Sequence, residues 1–171
     1  MTSNTLKTVI GFFVTMIRKY TPLKLSKNSL EGIYNYHIIN ETTATSGQPT
    51  AEQFSLIRDA GYKLIINLAP HNAENSLPDE ALLLSQLGMK YDHIPVDFKN
   101  PTREDFQKFV TSMQNSPSEK TWVHCAANMR VSAFMYKYRC EILNENAVKA
   151  KVDLEKIWEP FGAWKNFISK T

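Results

Sequence analysis

The run Val123-His124-Cys125-Ala126-Ala127-Asn128-Met129-Arg130-Val131-Ser132 sets a thiol five positions before a guanidinium, with small and polar residues between them. Such a loop leaves backbone N–H groups free to converge, and a helix beginning at its end aims the positive end of its dipole at the same point. Both features favour an anion, and both favour a thiolate over a thiol at Cys125. Arg130 adds a planar fork suited to two phosphate oxygens, so Ala126, Ala127, Asn128, Met129 and Arg130 form a candidate phosphate-binding stretch. A cysteine that takes up a phosphoryl group also needs an acid on a separate loop to protonate the leaving oxygen. Asp97, in Ile94-Pro95-Val96-Asp97-Phe98, is the best candidate. It follows a predicted strand and should emerge on the same sheet edge as Cys125. Glu104 and Asp105 fall in the first turn of the next helix, where acids complement the dipole, and Asp92 lies inside the strand and points elsewhere. His124 precedes the cysteine, so strand alternation turns its side chain away. It orders the loop by hydrogen bonding or is an ordinary buried histidine. Cys140, mid-helix beside Arg139, reads as a packing thiol.

The elements that must position these groups alternate. Ile33 to Ile39 reads as a strand with Thr42 to Thr45 as its partner. After the turn Ser46-Gly47-Gln48-Pro49, Thr50 and Gln53 have the spacing of a capping box, opening a helix that buries Phe54, Ile57 and Ala60 and stops at Gly61. Lys63 to Leu68 is a short, nearly continuous apolar run, the pattern of a strand covered on both faces. Ser76-Leu77-Pro78-Asp79 opens a second helix ending at Gly88, and Lys90 to Val96 reads as the next strand. Thr102 begins a third helix with Phe106, Phe109, Val110 and Met113 on one face. Thr121 to His124 is a strand running into Cys125, Val131 to Ile142 mark a long helix, and the remainder reads as helical. This grammar predicts an α/β fold with a mostly parallel central sheet of four to five strands flanked by helices.

The chain has 171 residues, of which 43% are hydrophobic and 22% charged, which excludes disorder and low complexity. Two cysteines are too few for a disulfide scaffold and point to free thiols in a reducing, cytoplasmic setting. The net charge of +3 is uneven: residues 1–30 hold five basic and no acidic side chains, whereas the other 141 carry 15 basic and 17 acidic. A basic body for nucleic acid is therefore not indicated. His37, His71, His93 and His124 lack metal-ligand spacing, so neither a metal nor another cofactor is expected. Residues 1–30 are read as a basic amphipathic helix and linker, and 31–171 as the domain proper. In the helix, Leu6, Val9, Ile10, Phe13, Met16, Ile17 and Tyr20 form one stripe that Pro22 ends. That stripe either packs on the domain or on a second copy, or makes a peripheral membrane contact through residues 5–20. It is too short to span a bilayer, and no small-residue cleavage site follows it.

The His124-Cys125 loop through Arg130 and Ser132, with Ser46-Gly47-Gln48-Pro49-Thr50 and the Ile65-Ile66-Asn67-Leu68 strand, resembles the bacterial cysteine-dependent phosphatases related to dual-specificity and protein tyrosine phosphatases. Within them it is similar to the branch called beta-lactamase-hydrolase-like phosphatases, from about Tyr34 to the C-terminus. The resemblance implies a phosphocysteine at Cys125, oxygen binding by Arg130, Asp97 as acid and then base, and Ser132 assisting the departing thiolate. It also implies a phosphorylated protein or a small phosphate ester as substrate. The family signature has five residues between Cys and Arg, whereas this chain has four and carries Val131 before Ser132. Four residues also resemble the loop of rhodanese-type sulfurtransferases, which carry a persulfide. A phosphate- or phosphoprotein-binding module with weak turnover is the third alternative. Asn128 stands near the place of the loop glycine, and asparagine tolerates left-handed backbone angles better than most residues.

Overall fold

The computed structural model describes residues 3–20 and 29–169. Helix α1 (Ser3–Tyr20) and a 3-10 turn at Leu30–Gly32 precede strands β1 (His37–Ile38) and β2 (Thr43–Ser46). There follow α2 (Ala51–Asp59), β3 (Tyr62–Asn67), α3 (Glu80–Gln86), β4 (Lys90–His93), α4 (Arg103–Asn115) and β5 (Lys120–His124). Helices α5 (Met129–Glu141), α6 (Ala147–Ile157) and α7 (Ala163–Ser169) complete the order. The five strands lie in the order β1-β2-β5-β3-β4, parallel except for the β1–β2 pair. The expected capping box of Thr50 and Gln53 is present, and Thr102, expected to begin α4, forms a second reciprocal box with Asp105.

Alternation along β3 and β5 builds two cores. Leu64, Ile66, Val123 and Cys125 face one side with Phe106, Phe109, Phe134, Trp158 and Trp164. Ile65 and Trp122 face the other with Phe54, Ile57 and Leu84. Burial on both faces explains the unbroken apolar run of β3.

Two strand expectations need correction. Ile33–Ile39 is not a single strand, because Leu30–Gly32 forms a 3-10 turn and Asn35 takes a positive φ of 49°, leaving only His37–Ile38 to pair with β2. β4 ends at His93, just before Ile94-Pro95, where proline has no N–H to give a ladder.

Helix α1 packs on the domain, but through a different face from the one its periodicity suggests. Thr5 and Thr8 are buried, whereas Leu6, Ile10 and Phe13 are each at least half exposed. The cause is polar. The last carbonyls of a helix lack partners within it; Asn4 donates to the Glu155 carbonyl at 2.9 Å and Thr8 to that of Ile157, both in the last turn of α6. The Tyr34 hydroxyl donates to the Thr8 carbonyl, and Gly11 gives the Tyr34 ring room, since a Cβ there would lie 2.7 Å from it. Among the described residues no helix is long and apolar enough to cross a membrane. Pro22 and the linker at 21–28 lie outside the described residues.

Candidate functional site

Cys125 lies just past β5, at the carboxyl edge of the sheet where open α/β folds bind ligands. Hydrogen bonds continue beyond the strand ends: Cys125 N–H to Ser46 O (3.3 Å), Leu68 N–H to His124 O (2.9 Å) and Val96 N–H to Leu68 O (3.2 Å). The chain segments at 46, 125, 68 and 96 therefore run side by side. Cys125 and the loop bearing Asp97 leave the same edge two strand spacings apart, about 10 Å at the backbone.

The loop after Cys125 is held from outside. The Ala126 carbonyl accepts from Asn75 Nδ2 at 2.9 Å and from the Gln48 N–H at 3.4 Å. Peptide planarity then turns the Ala127 N–H the opposite way. The Ala127 carbonyl accepts from Asn35 Nδ2 at 3.1 Å. Asn128 adopts the left-handed conformation, φ 64°, and caps α5 through its backbone alone; its side chain instead donates to Asn35 O (2.7 Å) and Thr45 Oγ1 (3.0 Å). A Cβ at Gly47 would lie 2.8 Å from the Tyr34 ring and 3.1 Å from the Ala126 carbonyl, so the Gly-Gln-Pro turn can approach the loop only as glycine. Cys125 itself is fully buried beneath the loop.

Arg130 is turned toward the segment that follows β4. Its Nε donates to the Val96 carbonyl at 2.9 Å and its guanidinium lies over the Phe98 ring, 5.2 Å from the centroid. It therefore joins the start of α5 to the segment that carries Asp97. Asp97 is exposed, and its Oδ1 accepts from the Lys99 N–H at 2.9 Å. Ser132 donates to the Met129 carbonyl and accepts from Trp158 Nε1, both at 3.1 Å, and no hydrogen bond joins it to Cys125.

His124 faces away from Cys125, as alternation requires, and meets Glu80. Its Nε2 donates to Glu80 Oε1 at 3.1 Å, and Glu80 also accepts from Asn67 Nδ2 at 2.9 Å and from Gln48 Nε2. Burial pushes the Glu80 carboxyl up, but the His124 charge and hydrogen bonds from His124, Gln48 and Tyr91 outweigh it and hold it at about 2. Burial, reinforced by the Glu80 charge, pushes the Tyr91 hydroxyl well up. Glu80 thus links the ends of β2, β3 and β5 behind the cysteine. Sequence reasoning missed Glu80, Asn35 and Asn75, all distant in sequence from the loop they hold. The only local signals were the turn-prone asparagines and an acid in a helix's first turn.

Cys140 is half-buried, and burial raises its thiol. His37 pairs with Asp153 at 2.9 Å, and Asp153 also binds Arg139 at 2.7 Å, a structural ion network away from Cys125. No three His, Cys, Asp or Glu side chains gather as a metal site among the described residues.

A family model described as DSP-PTPase phosphatase fused to NAD+ kinase matches residues 15–163. The chain is 30% identical over 118 residues to a beta-lactamase hydrolase-like protein of Xylella fastidiosa, covering 67% of this chain but only 27% of that protein. A crystal structure from Shewanella putrefaciens CN-32, described as a phosphatase of the DUF442 group, superposes with a TM-score of 0.75 at 34% identity, covering 82% of this chain and 90% of the other. The core catalytic domain of the PP-IP phosphatase SIW14 from S. cerevisiae superposes with a TM-score of 0.67 at 20% identity, covering 81% and 85%. That last likeness concerns the fold.

Proposed function

Because the chain belongs to the family of DSP-PTPase phosphatases, we propose that it hydrolyses phosphomonoesters through Cys125. The observation that carries the proposal is the convergence at one sheet edge of a buried cysteine, a loop whose carbonyls are tied outward, and an arginine bridging to the loop of an exposed aspartate. In the first step the Cys125 thiolate attacks phosphorus, the ester P–O bond breaks, and Asp97 gives its proton to the leaving oxygen. In the second, water attacks the phosphocysteine, Asp97 takes the proton, the S–P bond breaks, and phosphate leaves with the thiolate restored. The loop N–H groups and the α5 dipole balance charge on the phosphoryl oxygens. The terminal guanidinium nitrogens of Arg130 complete the clamp while Nε holds Val96. Ser132 acts through Trp158 and the first turn of α5.

The substrate is a phosphorylated protein or a small phosphate ester, and a reducing cytoplasm suits a thiolate nucleophile. A peripheral lipid contact through residues 5–20 belongs to the same proposal, supported by the outward Leu6, Ile10 and Phe13; co-sedimentation with anionic vesicles tests it. Phosphate release from phenyl phosphate tests the central claim. The wild type turns over and Cys125→Ser does not; an inactive wild type, or an active serine variant, overturns it. One observation favours a second reading, a phosphate-binding module with weak turnover: the Arg130 side chain is committed in part to the acid loop. Micromolar phosphate binding that needs Arg130, without Cys125-dependent hydrolysis, would select it.

A further inference from the structure

The segment Val96–Asn100 closes on itself. Asn100 N–H donates to the Asp97 carbonyl at 3.2 Å and Lys99 N–H to the Asp97 carboxylate at 2.9 Å. It therefore moves as one turn, and the aim of Asp97 depends on what anchors that turn. Among the described residues two side chains from other elements hydrogen-bond to its backbone, and they hold the carbonyls on either side of Asp97. Arg130 Nε takes Val96 O, and Trp164 Nε1 takes Phe98 O at 2.7 Å. The Phe98 ring packs against both Trp158 and Trp164, with centroids 5.8 and 5.4 Å away, and lies under the Arg130 guanidinium.

Trp164 is only 1% exposed, so water cannot replace the Phe98 carbonyl without moving the loop. It sits in the first turn of α7, the last helix described, 39 residues beyond the nucleophile in sequence. We propose that Trp164 is a positioning residue: its indole N–H, by holding the carbonyl of Phe98, the residue after Asp97, fixes the acid over the leaving oxygen. The proposal rests on the phosphatase reading. A shift of about 1 Å in a reacting group can lower a rate about a hundredfold, so one lost anchor has a measurable cost.

The test is Trp164→Phe, which keeps a ring and removes the N–H, assayed on two aryl phosphates. Phenyl phosphate has a poor leaving group that needs the acid, and 2,4-dinitrophenyl phosphate has a good one that does not. We expect kcat/KM on phenyl phosphate, which reports the first step alone, to fall about tenfold, a part of the 10²–10⁴ that a general acid supplies. On the dinitrophenyl ester kcat/KM should stay within about twofold, since the shared second step, where Asp97 takes a proton from water, enters kcat and not kcat/KM. In an Asp97→Asn background the same substitution should have no further effect on phenyl phosphate, because the group it positions is gone. Equal losses on both esters, or an undiminished effect beside Asp97→Asn, would show a merely structural tryptophan and overturn the proposal while leaving the phosphatase reading intact. Hydrogen exchange at the Lys99 and Asn100 amides gives a readout independent of turnover. It should quicken in Trp164→Phe at unchanged global stability, and unchanged exchange overturns the proposal. An inactive wild type overturns the phosphatase reading and this role for Trp164 together.

Discussion

The loop that carries Cys125 and the loop that carries Asp97 leave the same sheet edge but are held in opposite ways. The cysteine loop is buried, and side chains or backbone from three separate segments fix it: Asn35, Gln48 and Asn75 on its carbonyls, with Asn128 reaching back to Thr45. The acid loop has Asp97, Lys99 and Asn100 in solvent, two side-chain bonds from other elements to its backbone, and one aromatic anchor in Phe98. Segments with few buried contacts open at lower free energy than the rest of a fold. The nucleophile's cradle is thus preorganised, and the acid's position is the adjustable part. Changes to the cradle should affect folding and every substrate, whereas changes to the acid loop should affect rate according to the leaving group.

Arg130 belongs to both regions, so replacing it tests their separation most severely. Lysine cannot form the planar fork, nor donate from Nε to Val96 while contacting an anion. Arg130→Lys should lower kcat/KM between about 10²- and 10³-fold, the usual cost of one preorganised donor, on good and poor leaving groups alike. A loss confined to phenyl phosphate would place Arg130 with the acid loop only. Asp97→Asn comes next, at about 10²-fold on phenyl phosphate, the low end for a general acid because solvent reaches this side chain. Little change is expected on 2,4-dinitrophenyl phosphate. Equal losses on both esters would remove Asp97 from the acid's role.

The same contrast decides what could be read without a structure. The capping box of Thr50 and Gln53 was legible because its donors and acceptors lie three residues apart, and the start of α4 at Thr102 was legible from equally local signals, though its box with Asp105 was not read. The opposite facing of Cys125 and His124 follows from strand alternation alone. Asn128 in the left-handed region was also approachable, since few other residues take that backbone cheaply. What was hidden is long-range. The partner of His124 is 44 residues away on a helix whose preceding residue, Asp79, has a φ of 55°. The tie from Arg130 to Val96 and that from Trp164 to Phe98 join elements that only the folded sheet brings together. Helix α1 failed for a similar reason: its periodic stripe was real, but the open carbonyls of α6 chose the threonine face.

Within the cradle, Asn128 separates backbone need from side-chain need. Asn128→Ala loses two hydrogen bonds and places alanine in a left-handed conformation, costing about 2–3 kcal/mol in all. Asn128→Gly loses the same bonds but removes the strain, so it should cost roughly 1–2 kcal/mol. Urea unfolding should rank wild type above glycine and glycine above alanine. An alanine variant as stable as the glycine one would mean that φ at this position relaxes, and that the loop is less firmly preset than its contacts indicate.

An effect that touches stability alone concerns Glu80, behind the cradle and remote from the acid loop. Its carboxyl is held near 2 when folded, against an ordinary value of 4.5, so the unfolded chain binds more protons between those two values and stability rises with pH across that window. The contribution is complete above about pH 4.5 and is lost as pH falls toward 2. Glu80→Gln removes it, leaving the donors of His124, Asn67 and Gln48 facing a neutral amide, at a cost on the order of 2 kcal/mol at pH 7. Asp153, also held low, stays in both proteins and cancels in the difference. The stability gap between wild type and Glu80→Gln, from thermal or urea unfolding, should be constant down to about pH 5 and then close steadily. A gap that stays constant to pH 2.5 would show that packing, rather than an ionised Glu80, secures the back of the cysteine loop.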